Sequence, residues 1–156
     1  MAQIHLAELG TRVFYTVHGG FDTHTNEVAV QRVLWEELSE ALRAFKDDLS
    51  EHGASKEIAI LMFSEFGRRV KDNGSGTDHG SGGVAFILGD EVRGGHYSEY
   101  PSLDPSDLIE GDLAYNFDFR GLYTDMLEDW LGIDATPMYS QALGNGHTFI
   151  DQRPCM

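Results

Sequence analysis

The apolar run EIAILMF at residues 57–63 is too short for a helix. It reads as a strand buried on both faces, the condition met in parallel sheets covered by helices. Upstream, residues 12–17 (RVFYTV) are β-branched and aromatic and stop at Gly19-Gly20, which reads as another buried strand ending in a loop. Between the two, Val30, Val33, Leu34, Leu38, Ala41, Leu42, Phe45 and Leu49 recur at helical spacing, with Glu36, Glu37, Glu40, Arg43, Lys46 and Asp47 mostly on the other side. The spacing predicts a helix over 26–52, capped by Thr25 or Asn26 and ended at Gly53. Strand, helix and strand in this order predict a right-handed βαβ unit.

Downstream the pattern is sparser. Residues 64–83 are rich in Gly and polar residues and read as a long loop, which in a compact domain is functional or disordered. Residues 84–88 (VAFIL) read as a third strand, followed by a Gly89-Asp90 turn and a short extended piece over 92–100. Leu122, Tyr123, Met126, Leu127, Trp130 and Leu131 give a second helix at 120–131, capped by Asp118 and ended at Gly132. The stretch 134–156 has no period and reads as a loosely ordered tail. The expected fold is α/β, a mainly parallel sheet flanked by helices, in a single domain spanning 1–156.

Charge narrows the partners. Eleven Lys+Arg against 26 Asp+Glu leave a formal charge of −15, which repels phosphate backbones and anionic lipid heads and leaves room for cations. Nucleic acid is therefore not expected as a partner. No apolar run approaches the roughly 18 residues needed to span a bilayer, so no membrane insertion is expected. The N-terminal residues lack a basic segment followed by an apolar one, so no signal peptide is read. The lone cysteine, Cys155, cannot form an intrachain disulfide.

In open parallel sheets, ligands bind beyond the carboxyl ends of the strands. Two polar clusters fall there: Asp22-Thr23-His24 after the first strand, and Glu65 through His79 after the second, ending in Gly76-Thr77-Asp78-His79-Gly80. Carboxylate and imidazole together suit a divalent metal ion such as zinc or manganese. Asp22 and His24 are two apart, so an extended loop turns both to one side. Asp78 and His79 are adjacent, and the flanking glycines supply the backbone freedom to aim both. Taken alone, each motif is more often a capping or solvated turn; their joint placement after successive strands favours a shared cation pocket. Arg68 suits a bidentate grip on phosphate or sulfate oxygens, and Glu65 can orient the same anion; the alternative is an ion pair that holds the loop. Ser75, Thr77 and Thr23 are nearby hydroxyls, none singled out by an adjacent base. Trp35 and Trp130 read as core or half-core residues, and His5, His18 and His52 as structural or exposed.

GGFDTH (residues 19–24), AFKDDL (44–49), SEFGRR (64–69), N-x-S-x-GTDHG (73–80), GG-x-Y-x-EYPSL (94–103) and DFR (118–120) occur in this order. The ordered set resembles the domain-of-unknown-function family 1501, whose members are similar to the alkaline phosphatase and sulfatase superfamily. The resemblance covers about residues 12–132. It implies a three-layer α/β/α fold, of which this chain is a C-terminal portion, and a metal-dependent hydrolase acting on small-molecule or glycan esters of phosphate or sulfate. Carried over, Asp22 and His24 match one metal site, Asp78 and His79 the other, and His96 or His147 is the further His ligand. The superfamily's nucleophile and one metal-binding Asp lie further upstream than the GGFDTH strand. The alternative is therefore a non-catalytic binding domain with vestigial ligands. A partial sheet exposes an apolar edge, so a homo-oligomer is also expected. Relatives in the superfamily are often exported; localisation is otherwise open.

Overall fold

The computed structural model describes residues 1–138, whose contacts group into two compact units. The first comprises Met1–Ser55 and Lys71–Asp78; the second comprises Lys56–Val70 and the described residues from His79 on.

The first unit is built on α2 (Glu27–Glu51), with a short helix, α1 (Ala2–Leu6), packed on it. Along α2, Val30, Leu34, Leu38, Leu42 and Phe45 are half-buried and Leu49 is buried, the stripe expected from i, i+3 and i+4 spacing. Val33 and Ala41, assigned to that stripe by periodicity, lie outside it and are exposed. The helix ends as the glycine predicts. Gly53 takes φ +72, its N–H donates to the Ser50 carbonyl at 3.1 Å, and the Ala54 N–H reaches the Leu49 carbonyl at 2.9 Å. This paired 5→2 and 6→1 closure satisfies carbonyls that the helix end would leave open, and it brings the buried Ala54 back beside the last turn. Asn26 is the N-cap, but in the left-handed region at φ 50 and without a side-chain cap bond.

Residues 12–17 are not a strand: Val13, Tyr15 and Val17 are exposed, and the segment joins no ladder among the described residues. The β-branched composition was a preference for a pleated, half-buried surface, and no partner strand supplies one here. The expected βαβ unit is thereby overturned.

In the second unit a 3₁₀ turn (Ser55–Glu57, whose first residue closes the first unit) leads into β1 (Ile60–Met62). The chain then forms a hairpin, β2 (Gly67–Asp72) and β3 (Thr77–Gly80), whose tip at Lys71–Asp78 belongs to the first unit. β4 (Phe86–Leu88) returns to pair with β1, antiparallel, with Leu61 opposite Ile87. The described residues thus give a mixed α/β chain with two small antiparallel sheets, where a mainly parallel sheet was expected. A parallel pairing needs a crossover, usually a helix; residues 64–83 form a hairpin instead, and the next strand comes back in the opposite direction. The hairpin base is tight. A Cβ on Gly67 would stand 2.0 Å from the Gly82 carbonyl oxygen, so no other residue fits.

The predicted second helix is present as α3 (Phe119–Asp125), continuing as one π-helical segment (Met126–Trp130) and stopping before Gly132 at φ +66. Asp118 caps it, accepting from the Arg120 N–H at 2.9 Å, and its carboxylate also pairs with the Arg120 guanidinium. Those bonds from Arg120 hold the Asp118 carboxyl well below the usual carboxylate range. Leu122 and Trp130 form the core of this unit, packed by Ala59, Leu61, Ile87, Tyr97, Phe117, Met126 and Leu131. Residues 92–100 form no strand. Most of the expected tail, including His147 and Cys155, lies outside the described residues. No helix among the described residues is long and apolar enough to cross a membrane.

Candidate metal centre

The loop after Gly19-Gly20 is laid on α2 by three side chains of that helix. Gly20, at φ +97, passes so close to Leu34 that a Cβ would come within 3.1 Å of its Cδ2. Phe21 sets its ring edge-on against Trp35 at 5.4 Å. Gln31 donates from Nε2 to both the Phe21 carbonyl, at 3.1 Å, and Thr23 Oγ1, at 3.0 Å. Thr23 is buried, and its N–H closes a three-residue turn on the Phe21 carbonyl at 2.8 Å. This turn leaves Asp22 and His24, on either side of Thr23, exposed.

The tip of the β2–β3 hairpin meets the same loop from the other side. Asp72-Asn73-Gly74 begins a side-chain-braced turn: Asp72 Oδ1 accepts from the Gly74 N–H at 2.6 Å, and Asn73 Oδ1 accepts from the Ser75 and Gly76 N–H groups. Ser75 Oγ takes the Asn26 N–H at 3.1 Å, so a hairpin side chain does the capping that Asn26's own side chain does not. Thr77 Oγ1 donates to Glu27 Oε2 at 2.9 Å. Gly76 has no room for a side chain, because a Cβ would stand 2.7 Å from Glu27 Oε2 and 3.2 Å from the His24 carbonyl oxygen.

This docking brings Asp78 to His24. His24 Nδ1 lies 3.2 Å from Asp78 Oδ1, and His24 Nε2 lies 3.1 Å from Asp22 Oδ1. All three side chains are roughly half exposed. A neutral imidazole carries one N–H, so it can donate to one of these carboxylates and not to both. A divalent cation resolves that conflict if it takes Nε2 and the Asp22 oxygen while Nδ1–H donates to Asp78, the carboxylate–histidine–metal arrangement. The spacing fits. Bonds of about 2.0–2.1 Å put neighbouring ligand atoms about 2.9 Å apart in an octahedral site and about 3.3 Å apart in a tetrahedral one, and the observed pair lies between.

The remaining candidates belong to the second unit. His79 stacks on Phe66 with ring centroids 3.7 Å apart, and the Arg68 guanidinium lies over the same Phe66 ring at 5.3 Å. Glu65 is exposed. His96 stacks on Tyr100 at 4.7 Å, and His147 lies outside the described residues. The three hydroxyls noted in the sequence are all committed to the scaffold: Thr23 to Gln31, Ser75 to Asn26, Thr77 to Glu27.

A sequence model of the family described as "Protein of unknown function (DUF1501)" matches residues 1–151. This chain belongs to that family. No curated protein and no solved structure matches it. In this family member, motif reading found the Asp and His of the centre but not its braces, Gln31, Glu27 and Asn73. Asn73 was legible in principle: Asp-Asn-Gly followed by Ser-Gly is turn chemistry, which marks the tip of a hairpin rather than an open loop.

Proposed function

We propose that this DUF1501 chain is part of a metal-dependent hydrolase of phosphate or sulfate esters. It would be a C-terminal portion of an alkaline phosphatase-like domain, with divalent zinc, manganese or a similar ion as cofactor. The supporting observation is that Asp22 and Asp78, from the two separate segments of the first unit, meet on the two nitrogens of one imidazole. Asp22 and His24 are ligands, Asp78 steadies the His24 ring and is a further ligand candidate, and His79, in the second unit, is retained as another. When bound, a divalent ion supplies a Lewis acid and a water of lowered pKa. The chain's own part is to hold His24 Nε2 and Asp22 Oδ1 at ligand spacing, and to offer Arg68 as a planar fork for the oxygens of an anionic ester. His96 is retained as a further ligand candidate and Glu65 as a group that orients the substrate.

The engagement of Thr23, Ser75 and Thr77 in structural hydrogen bonds favours a second reading, a binding domain without hydrolytic chemistry. Calorimetric titration with Zn²⁺ and Mn²⁺, followed by assays on p-nitrophenyl phosphate and sulfate, separates the two. Stoichiometric binding that is lost in His24→Ala, with ester turnover, supports the hydrolase. Binding without turnover supports the second reading, and absence of binding by the wild type overturns the metal centre. The exposed Val13, Tyr15 and Val17 support self-association, which light scattering of the purified chain reads directly.

A further inference from the structure

Asn73 touches both the backbone of His24 and its carboxylate partner Asp78. Its Nδ2 donates to the His24 carbonyl and to Asp78 Oδ1, each at 3.1 Å. Its Oδ1 accepts from the N–H groups of Ser75 and Gly76, at 3.1 and 3.0 Å. Its own N–H reaches the Gly76 carbonyl at 2.9 Å. The four side-chain contacts fix the amide orientation, because a flip would set NH₂ against two N–H donors and oxygen against a carbonyl and a carboxylate.

We propose that Asn73 is the positioning residue of the centre, holding Asp78 so that His24 keeps its proton on Nδ1 and turns the lone pair of Nε2 toward Asp22. Asp78 Oδ1 receives two donors, one from Asn73 and one from His24. With its position fixed by the first, it offers Nδ1–H a fixed acceptor, in competition with Asp22 Oδ1 at 3.1 Å from Nε2. The His24 backbone is held by the same amide, so ring and carboxylate are referenced to one group. What Nε2 then binds rests on the metal-centre reading above; the tautomer does not.

Asn73→Asp separates this role from the turn. Aspartate keeps an oxygen for the Ser75 and Gly76 N–H groups, loses both donations, and sets a second carboxylate beside Asp78. Histidine-¹⁵N-labelled protein without metal, at pH 8, reports the His24 tautomer through long-range ¹H–¹⁵N correlations. The wild type should show the Nδ1–H form, and Asn73→Asp a mixture or the Nε2–H form. Zn²⁺ affinity by calorimetry should fall by about tenfold to a hundredfold, the usual cost of losing a group that orients a ligand. A wild-type tautomer and unchanged Zn²⁺ affinity in Asn73→Asp would overturn the proposal, as would damage confined to Asn73→Ala, which would mark a turn-forming role alone. If Asn73→Asp does not fold, Asn73→Ser, which keeps a turn acceptor and lacks the amide donor, is judged by the same two readings. If the wild type binds no Zn²⁺, the metal centre fails and the tautomer alone decides the case of Asn73.

Discussion

Asp125 sits where α3 passes into its π-helical segment, with only 9% of its surface exposed. Its Oδ2 is buried without a hydrogen-bond partner among the described residues. Burial, reinforced by the neighbouring charges of Asp129 and Glu128, pushes its carboxyl up to about 6 from 3.8. The folded state therefore holds this proton more tightly than the unfolded chain does. The stability it contributes is complete below pH 3.8 and is lost as pH rises through 6. A difference of about 2.2 units at 1.36 kcal/mol per unit makes the ionised group cost at most about 3 kcal/mol at pH 8. Asp125→Asn cannot ionise. It should therefore be more stable than the wild type by about 1–3 kcal/mol at pH 8, the lower figure allowing for an unpartnered amide in the same place. At pH 4 the gain should vanish. Urea unfolding followed by Trp130 fluorescence, in a Trp35→Phe background so that only the second unit reports, measures both. Parallel stability curves for the two proteins from pH 4 to pH 8, or a variant less stable than its parent at pH 8, would refute the argument.

Other consequences follow from close approaches and caps. Gly67→Ala forces a methyl group against the Gly82 carbonyl at the hairpin base, and should cost several kcal/mol or prevent folding, read as a fall in thermal midpoint. Gly76→Ala should push the hairpin tip off Glu27 and the His24 carbonyl, weakening Zn²⁺ binding in calorimetry by more than it lowers the midpoint of the second unit. Asp118→Ala removes the α3 cap and should cost about 1 kcal/mol at pH 7 in urea unfolding. Because the Asp118 carboxyl titrates well below 3.8 in the folded chain, the stabilisation is present above pH 3.8 and fades as pH falls below it, so the two proteins should converge toward pH 2.

What the sequence disclosed depended on how local each signal was. The Gly53 stop, the Asp118 cap, the second helix and most of the α2 stripe, Val33 and Ala41 excepted, are written within one or two turns and lie where periodicity and capping put them. The run at 12–17 carried an equally strong local preference, but a strand is a relation between two segments, and Val13, Tyr15 and Val17 have no ladder partner among the described residues. β2 and β3 were missed for the converse reason. Their exposed polar residues show no alternation of apolar and polar, so only the turn chemistry at 72–76 betrays them. The same asymmetry governs the candidate centre. Asp22, His24 and Asp78 were legible as residue types suited to a cation, whereas their convergence depends on Asn73, Ser75, Thr77 and Glu27 docking the hairpin tip, a set of contacts across about fifty positions.

That separation carries a schedule. The tip that completes the first unit is synthesised 54 residues after His24, which at about 5–20 residues per second is an interval of roughly 3–11 s on the ribosome. From the completion of α2 at Glu51 until Asp78 is added, the nascent 20–27 segment has that helix beneath it and no lock above it. An interrupted translation product ending before residue 78 would carry the helix and the imidazole but lack the Asp78 carboxylate that faces its Nδ1.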